Sequence, residues 1–251
     1  MSLDVERLGS GPAVALVHGF TQTGRSWGAI ARAVAADHEV LLVDLPGHGA
    51  SAGVRADLPQ SGDLLVAAVA PATLVGYSMG ARVCLHAALA HPASVRGLVL
   101  LGGTAGIDDA GERAARRADD AALGERLVAD GVDAFLERWL AQPLFARLPA
   151  DAADLAERRR NTVAGLRSSL ELAGTGTQEP AWGRLVELAM PVLAVAGAHD
   201  AKFSALARRL VDAIGDNATL ALVPDAGHAA HLERPEAFTT LLRTWLSNHD
   251  L

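Results

Sequence analysis

The chain predicts an α/β protein: a mostly parallel sheet flanked by helices and interrupted by an all-helical insertion. Short Val- and Leu-rich runs alternate with helical stretches through the first hundred residues, the pattern of strands buried on both faces. The same alternation resumes after about residue 189. Between the two blocks, residues 105–188 are rich in Ala, Arg, Glu and Leu, with few Val or Ile runs.

Taken in order, the runs at 13–17, 40–43, 73–75 and 98–101 are too short for typical helices and read as strands. Residues 27–35 and 79–90 read as helices between them. After the insertion, 192–195 and 218–223 read as strands separated by a helix at 204–214, and Pro235 opens a last helix over 236–246. Within the insertion, helices are expected at 119–127, 132–139, 154–172 and 182–188, divided by Gly131, Pro143, Pro149 and the 174–180 stretch. The expected organisation is therefore a core formed by 1–104 and 189–251, with 105–188 as a helical cap over the strand ends.

The 251 residues are half apolar and one-fifth charged, which excludes a disordered chain and a disulfide-stapled one. A net charge of -7 gives no general attraction to nucleic acid or an anionic membrane. The single cysteine, Cys84, has no disulfide or zinc partner and reads as a small core residue. The first eight residues carry Asp4 and Glu6 where a secretory leader would be basic and then apolar, and no apolar run is long enough to span a bilayer. The expectation is a cytoplasmic protein. Nothing in the sequence sets its oligomeric state.

Reactive side chains gather at the predicted strand ends. Residues 76–80 read Gly-Tyr-Ser-Met-Gly between a strand and a helix, where a sharp turn lifts Ser78 out of the strand. Serine is a weak nucleophile or base alone and needs a basic partner that is itself oriented. His228 follows the strand at 218–223 and Asp200 follows the one at 192–195, giving the order Ser, Asp, His of α/β hydrolases. His231 is the rival base, three residues on, but lies further from the strand end. His199 is a poorer partner than Asp200, whose carboxylate can stabilise a charged imidazole.

The Phe20 amide after the first strand and the Met79 amide at the start of the next helix are the candidate oxyanion donors. His18 and Gly19 read as turn residues, and Asp44 and His48 in Asp-Leu-Pro-Gly-His-Gly as structural hydrogen-bonding groups. Asp44 precedes Ser78 and would break the triad order. Arg82, one turn beyond Ser78, with Arg167 in the insertion and Lys202 beside Asp200, suggests an anionic small-molecule substrate. Arg113, Arg116 and Arg117 read as a solvated helix face. No metal-ligand set and no dinucleotide fingerprint occurs, so no cofactor is expected.

These segments together resemble the α/β-hydrolase superfamily and, within it, the 2-succinyl-6-hydroxy-2,4-cyclohexadiene-1-carboxylate synthases of menaquinone biosynthesis. The resemblance spans nearly the whole chain. Its more specific parts are RWLAQPLF at 138–145, GLR at 165–167, GTGTQ at 174–178, HDAKF at 199–203 and GHAAH at 227–231. It implies an α/β-hydrolase fold and a lyase that eliminates pyruvate from 2-succinyl-5-enolpyruvyl-6-hydroxy-3-cyclohexene-1-carboxylate. It also implies roles: His228, oriented by Asp200, activates Ser78 as the base that takes a ring proton. The Phe20 and Met79 amides would stabilise a carboxyl-linked oxyanion, Arg82, Arg167 and Lys202 would hold carboxylates, and Tyr77, Trp139 and Phe145 would line the pocket. The competing enzyme reading is a serine hydrolase, whether carboxylesterase, thioesterase or carbon-carbon bond hydrolase, on a small carboxylated substrate. The non-enzymatic alternative is an interaction protein, which the intact Ser78, Asp200 and His228 disfavour.

Overall fold

The computed structural model describes residues 2–251. Seven strands form one sheet in the order β1-β3-β2-β4-β5-β6-β7. The strands are β1 (Asp4–Gly9), β2 (Ala13–Val17), β3 (Glu39–Asp44), β4 (Ala72–Tyr77), β5 (Val95–Leu101), β6 (Val192–Gly197) and β7 (Ala218–Val223). Neighbours pair in parallel, except that β1 runs antiparallel to β3 at one edge. Strand β1 is absent from the sequence reading, because its half-exposed Asp-Val-Glu-Arg-Leu-Gly offers no apolar run, as suits a charged edge strand.

The central strands are apolar at successive positions because both of their faces are covered. Val14, Leu16, Val40, Leu42, Val75 and Val99 face one way, packing with Trp27 and Ile30 and with Phe238 and Trp245. The first pair lies at and just before α1 (Gly28–Val34) and within it, the second on α9 (Pro235–Asn248). The alternate residues Ala15, Val17, Leu41, Leu74, Leu98 and Val192 face Leu65, Leu85 and Leu210. Those three come from α2 (Leu58–Val69), α3 (Met79–Ala90) and α7 (Ala201–Ile214). Helix α2 escaped the sequence reading. Its start is marked by Asp57, which accepts the Gln60 amide while Gln60 caps back, with a proline in the first turn.

Helices fill the segment between β5 and β6. The longest, α4 (Ala110–Leu140), is two helices joined at Gly131, whose φ of 74° and ψ of 175° break the helical path where the sequence placed a divider. The expected single helix over 154–172 is instead split into α5 (Leu155–Arg158) and α6 (Val163–Ala173). Asp154 adopts a left-handed conformation before α5, and the Thr162 hydroxyl accepts the Gly165 amide to start α6 afresh. The stretch over 182–188 is a 3-10 turn, Trp182–Glu187, rather than an α-helix. Leu127, Phe135 and Leu166 form a small core of the cap, with Phe20 and Trp139 packed against it. No described helix is long and apolar enough to cross a membrane.

Candidate active site

Ser78 sits between β4 and α3 with φ 51° and ψ -106°, a strained backbone for a residue with a side chain. The flanking glycines are required by contact rather than by their own dihedrals. A Cβ at Gly80 would lie 2.2 Å from the Val17 carbonyl, and one at Gly76 would lie 2.5 Å from the Gly80 carbonyl. This crowding presses the elbow against the end of β2, bringing Met79 and Phe20 to one place.

His228 Nε2 lies 3.1 Å from Ser78 Oγ, and His228 Nδ1 lies 3.1 Å from an Asp200 carboxylate oxygen. The serine hydroxyl donates to Nε2, and the Nδ1 proton goes to Asp200. The other Asp200 oxygen accepts the Phe203 amide, so this residue also caps α7. Burial pushes the Asp200 carboxyl up, but hydrogen bonds from His228 and Phe203, with the His228 and Lys202 charges, outweigh it and hold it below the usual carboxylate range. The His228 ring packs on Phe203 at 4.3 Å between centroids and on Tyr77 at 5.4 Å.

His231 does not compete for Ser78. It is buried against Tyr77, Trp27 and Phe238, and desolvation, reinforced by Arg158 and His228, lowers its pKa to about 3. His199 lies 3.6 Å from Asp225, outside the triad. His18 accepts the Leu45 amide and donates to the Gly19 carbonyl, while His48 accepts the Thr21 amide and donates to the Pro46 carbonyl. Burial, above all, holds these two imidazoles neutral, at pKa values of about 4 and about 3. Asp44 accepts the Gly24 and Ala50 amides at 2.7 Å each. All three brace loops.

The loop after β2 leaves one amide unspent. Gly19 N–H donates to Gln22 and Thr21 N–H to His48, leaving the Phe20 amide between them. Met79 occupies the first position of α3, where an amide has no intrahelical acceptor. Both residues line a cavity of about 550 Å³ that opens over Ser78 and His228. Tyr77, Arg82, Trp139, Phe145 and Lys202 line it too. Burial raises the Tyr77 hydroxyl pKa above its ordinary value, so it stays protonated.

Arg167 is not brought to this cavity. It is on the outer side of the cap, 2.8 Å from both Glu125 and Glu171. Other helices supply cations instead: Arg116 on α4, Arg158 on α5 and Arg209 on α7 are on the cavity wall. Arg116, which the sequence left within a solvated face, donates to Asp120 at 2.9 Å, and Arg209 pairs with Asp108 at 2.7 Å. Arg158 is 2% exposed and donates to the Ala153 carbonyl and to the Thr21 hydroxyl, tying the cap to the Phe20 loop. It stands beside two further arginines, so periodicity gave no means of singling it out. Burial, with Arg116 adding to it, lowers the Arg82 pKa to about 10, leaving a cation at neutral pH. The described residues contain no cluster of His, Cys, Asp and Glu fit to hold a metal.

Residues 14–241 match the alpha/beta hydrolase family. A 2-succinyl-6-hydroxy-2,4-cyclohexadiene-1-carboxylate synthase from Serratia proteamaculans is 35% identical, the alignment covering 94% of each chain. One from an Enterobacter species is 34% identical over 92% of this chain and 90% of its own. Among solved structures, MenH from S. aureus superposes with a TM-score of 0.90 at 26% identity, covering 98% of this chain and 99% of that one. Likeness at this level, running through core and cap alike, places the chain in the alpha/beta hydrolase family and, within it, among the 2-succinyl-6-hydroxy-2,4-cyclohexadiene-1-carboxylate synthases.

Proposed function

We propose that this protein is a lyase that converts 2-succinyl-5-enolpyruvyl-6-hydroxy-3-cyclohexene-1-carboxylate into 2-succinyl-6-hydroxy-2,4-cyclohexadiene-1-carboxylate and pyruvate. The observation that carries the reading beyond the family likeness is a match of charge. Arg82, Arg158 and Lys202 line the cavity without a carboxylate partner among the described residues, whereas Arg116 and Arg209 are paired. The substrate carries carboxylates on its ring, succinyl and enolpyruvyl groups, and each can pair with one of these three cations.

The chemistry follows from the two structures on either side of the arrow. The acidic hydrogen is on C2, beside the succinyl ketone. Ser78 gives its hydroxyl proton to His228 Nε2 as it takes that hydrogen, and Asp200 steadies the imidazolium. Charge then develops on the ketone oxygen rather than on a carboxyl group, because only the ketone is conjugated with C2. The Phe20 and Met79 amides meet it there. The C2 electrons form a C2–C3 double bond, the old C3–C4 double bond moves to C4–C5, and the C5–O bond breaks. The departing enolate of pyruvate takes the proton back from His228. No acyl-enzyme forms, so no water need reach the serine.

The test is purified protein with the succinylated enolpyruvyl substrate, following pyruvate release and conjugated-diene absorbance together. Equal rates of the two signals are expected. Rapid turnover of simple carboxylic esters with neither signal overturns the reading in favour of a hydrolase.

A further inference from the structure

The histidine that activates Ser78 rides on the least regular segment of the site. Residues between β7 and the one-turn helix α8 (Ala230–Glu233) have no strand or helix of their own, and Asp225 within them has a φ of 53°. The Ala226 carbonyl accepts the His199 amide at 2.8 Å, which fixes the near end of this loop to the end of β6. The two amides on either side of His228 point elsewhere. Gly227 N–H donates to one carboxylate oxygen of Glu233 at 2.5 Å, and Ala229 N–H donates to the other at 3.0 Å. The Glu233 amide in turn donates to the Ala229 carbonyl at 2.9 Å, closing a ring between loop and side chain. Glu233 is buried and absent from the cavity wall.

A buried carboxylate held only by two backbone amides is a costly choice for a structural filler, because an apolar residue of that volume would avoid desolvating a charge. What the carboxylate alone provides is a two-point grip on the residues flanking His228. The imidazole must reach Ser78 and Asp200 at once, each at 3.1 Å, and a misplacement of about 1 Å in such a constellation costs about 100-fold in rate. Phe203 and Tyr77 pack the ring but do not set the height of its backbone.

We propose that Glu233 is a positioning residue, whose carboxylate grips the Gly227 and Ala229 amides and so fixes His228 between Ser78 and Asp200. This rests on His228 being the group that activates Ser78 in the reaction proposed above. Glu233→Gln keeps the size but turns an NH2 group toward one of the two amides, so one bond is lost. The expected result is a fall in kcat of about 10- to 100-fold with KM within about 3-fold, and an equal fall in the rate at which a fluorophosphonate labels Ser78. In a His228→Ala background the same substitution should change neither rate by more than about 2-fold, since the group it positions is gone. Unchanged kcat and labelling in Glu233→Gln, or a further loss on top of His228→Ala, overturns the proposal.

One measurement stands apart from the identity of the substrate, and another from the folding of the variant. Fluorophosphonate labelling needs only the serine and its base, so it tests Glu233 even if no pyruvate is released. In the wild-type protein, amide hydrogen exchange should be slowest at Gly227 and Ala229 within the 224–229 loop. Fast exchange at both positions overturns the grip itself.

Discussion

The two walls of the cavity are built on different principles. The wall formed by the strand ends carries its reactive groups in single, hydrogen-bonded positions: Ser78 on a strained elbow, Asp200 capping α7, and neutral His18 and His48 tying adjacent loops. The cap wall carries cations on helices and short turns, where neighbouring residues point in different directions. Arg158 is buried against the Phe20 loop, while Arg167 is spent on surface glutamates. A strand end allows a side chain few orientations, and a helix allows each residue its own. Reaction chemistry is therefore fixed by the sheet, whereas substrate charge is met from both walls, by Arg82 and Lys202 on core helices and by Arg158 on the cap.

The sharpest way to break this division is at the sheet. Ser78→Ala removes the group that takes the ring proton and leaves the cationic wall intact. We expect kcat to fall by about 1000-fold or more while binding of the tricarboxylate, measured by calorimetry, stays within about 3-fold. A large loss of affinity with residual turnover would show that the two walls share their work.

On the cap side, Arg158→Met keeps volume and apolar packing while deleting one unpaired cation and its bonds to Thr21 and Ala153. An ion pair to a substrate carboxylate in such a site is worth about 1.5–3 kcal/mol, so kcat/KM should drop about 10- to 100-fold in steady-state assays. If kcat/KM holds and only thermal stability changes, Arg158 is a tether of the cap and not a substrate group.

This contrast also explains what the sequence made legible. Ser78, Asp200 and His228 could be read directly, because each follows a recognisable apolar strand and their order along the chain has one common geometry. The strands at 13–17 and 218–223 and the helix at 79–90 coincide with the observed elements for the same reason. Arg158 went unread in the sequence and Arg167 was expected to reach the pocket; both sit in a stretch whose helical phase is reset at Thr162, where a new cap starts α6. One helix carried through 154–172 cannot give the relative directions of these two side chains. Glu233 left no signal either, since Glu in a Glu-Arg-Pro-Glu stretch looks like an ordinary solvated helix start until the loop folds back over it.

The walls should also differ in their response to acid. None of the nine histidines falls between 105 and 188. In the core, burial lowers His18 and His86 to about 4 and His48 and His231 to about 3. Below pH 6.5 the unfolded chain takes up protons that the folded core refuses until pH nears those values. Stability contributed by these groups is full above pH 6.5 and is lost as pH falls, by up to about 1.4 kcal/mol per pH unit for each histidine. Urea midpoints should therefore drop steadily from pH 7 to pH 5. A flat profile would mean that these imidazoles are hydrated in solution.

The smallest expected effect is the most informative about the cap. Arg167 is 40% exposed at its side chain and bridges two partly exposed glutamates, so solvent screening leaves each pair worth about 0.2–1 kcal/mol. It shares no lining with the main cavity. Arg167→Ala should leave kcat/KM within about 2-fold and lower the thermal midpoint by only a few degrees. A 10-fold rise in KM would require the outer face of α6 to turn inward when substrate binds. The cap would then rearrange around its ligand, and Arg167 would join the cations that already line the cavity.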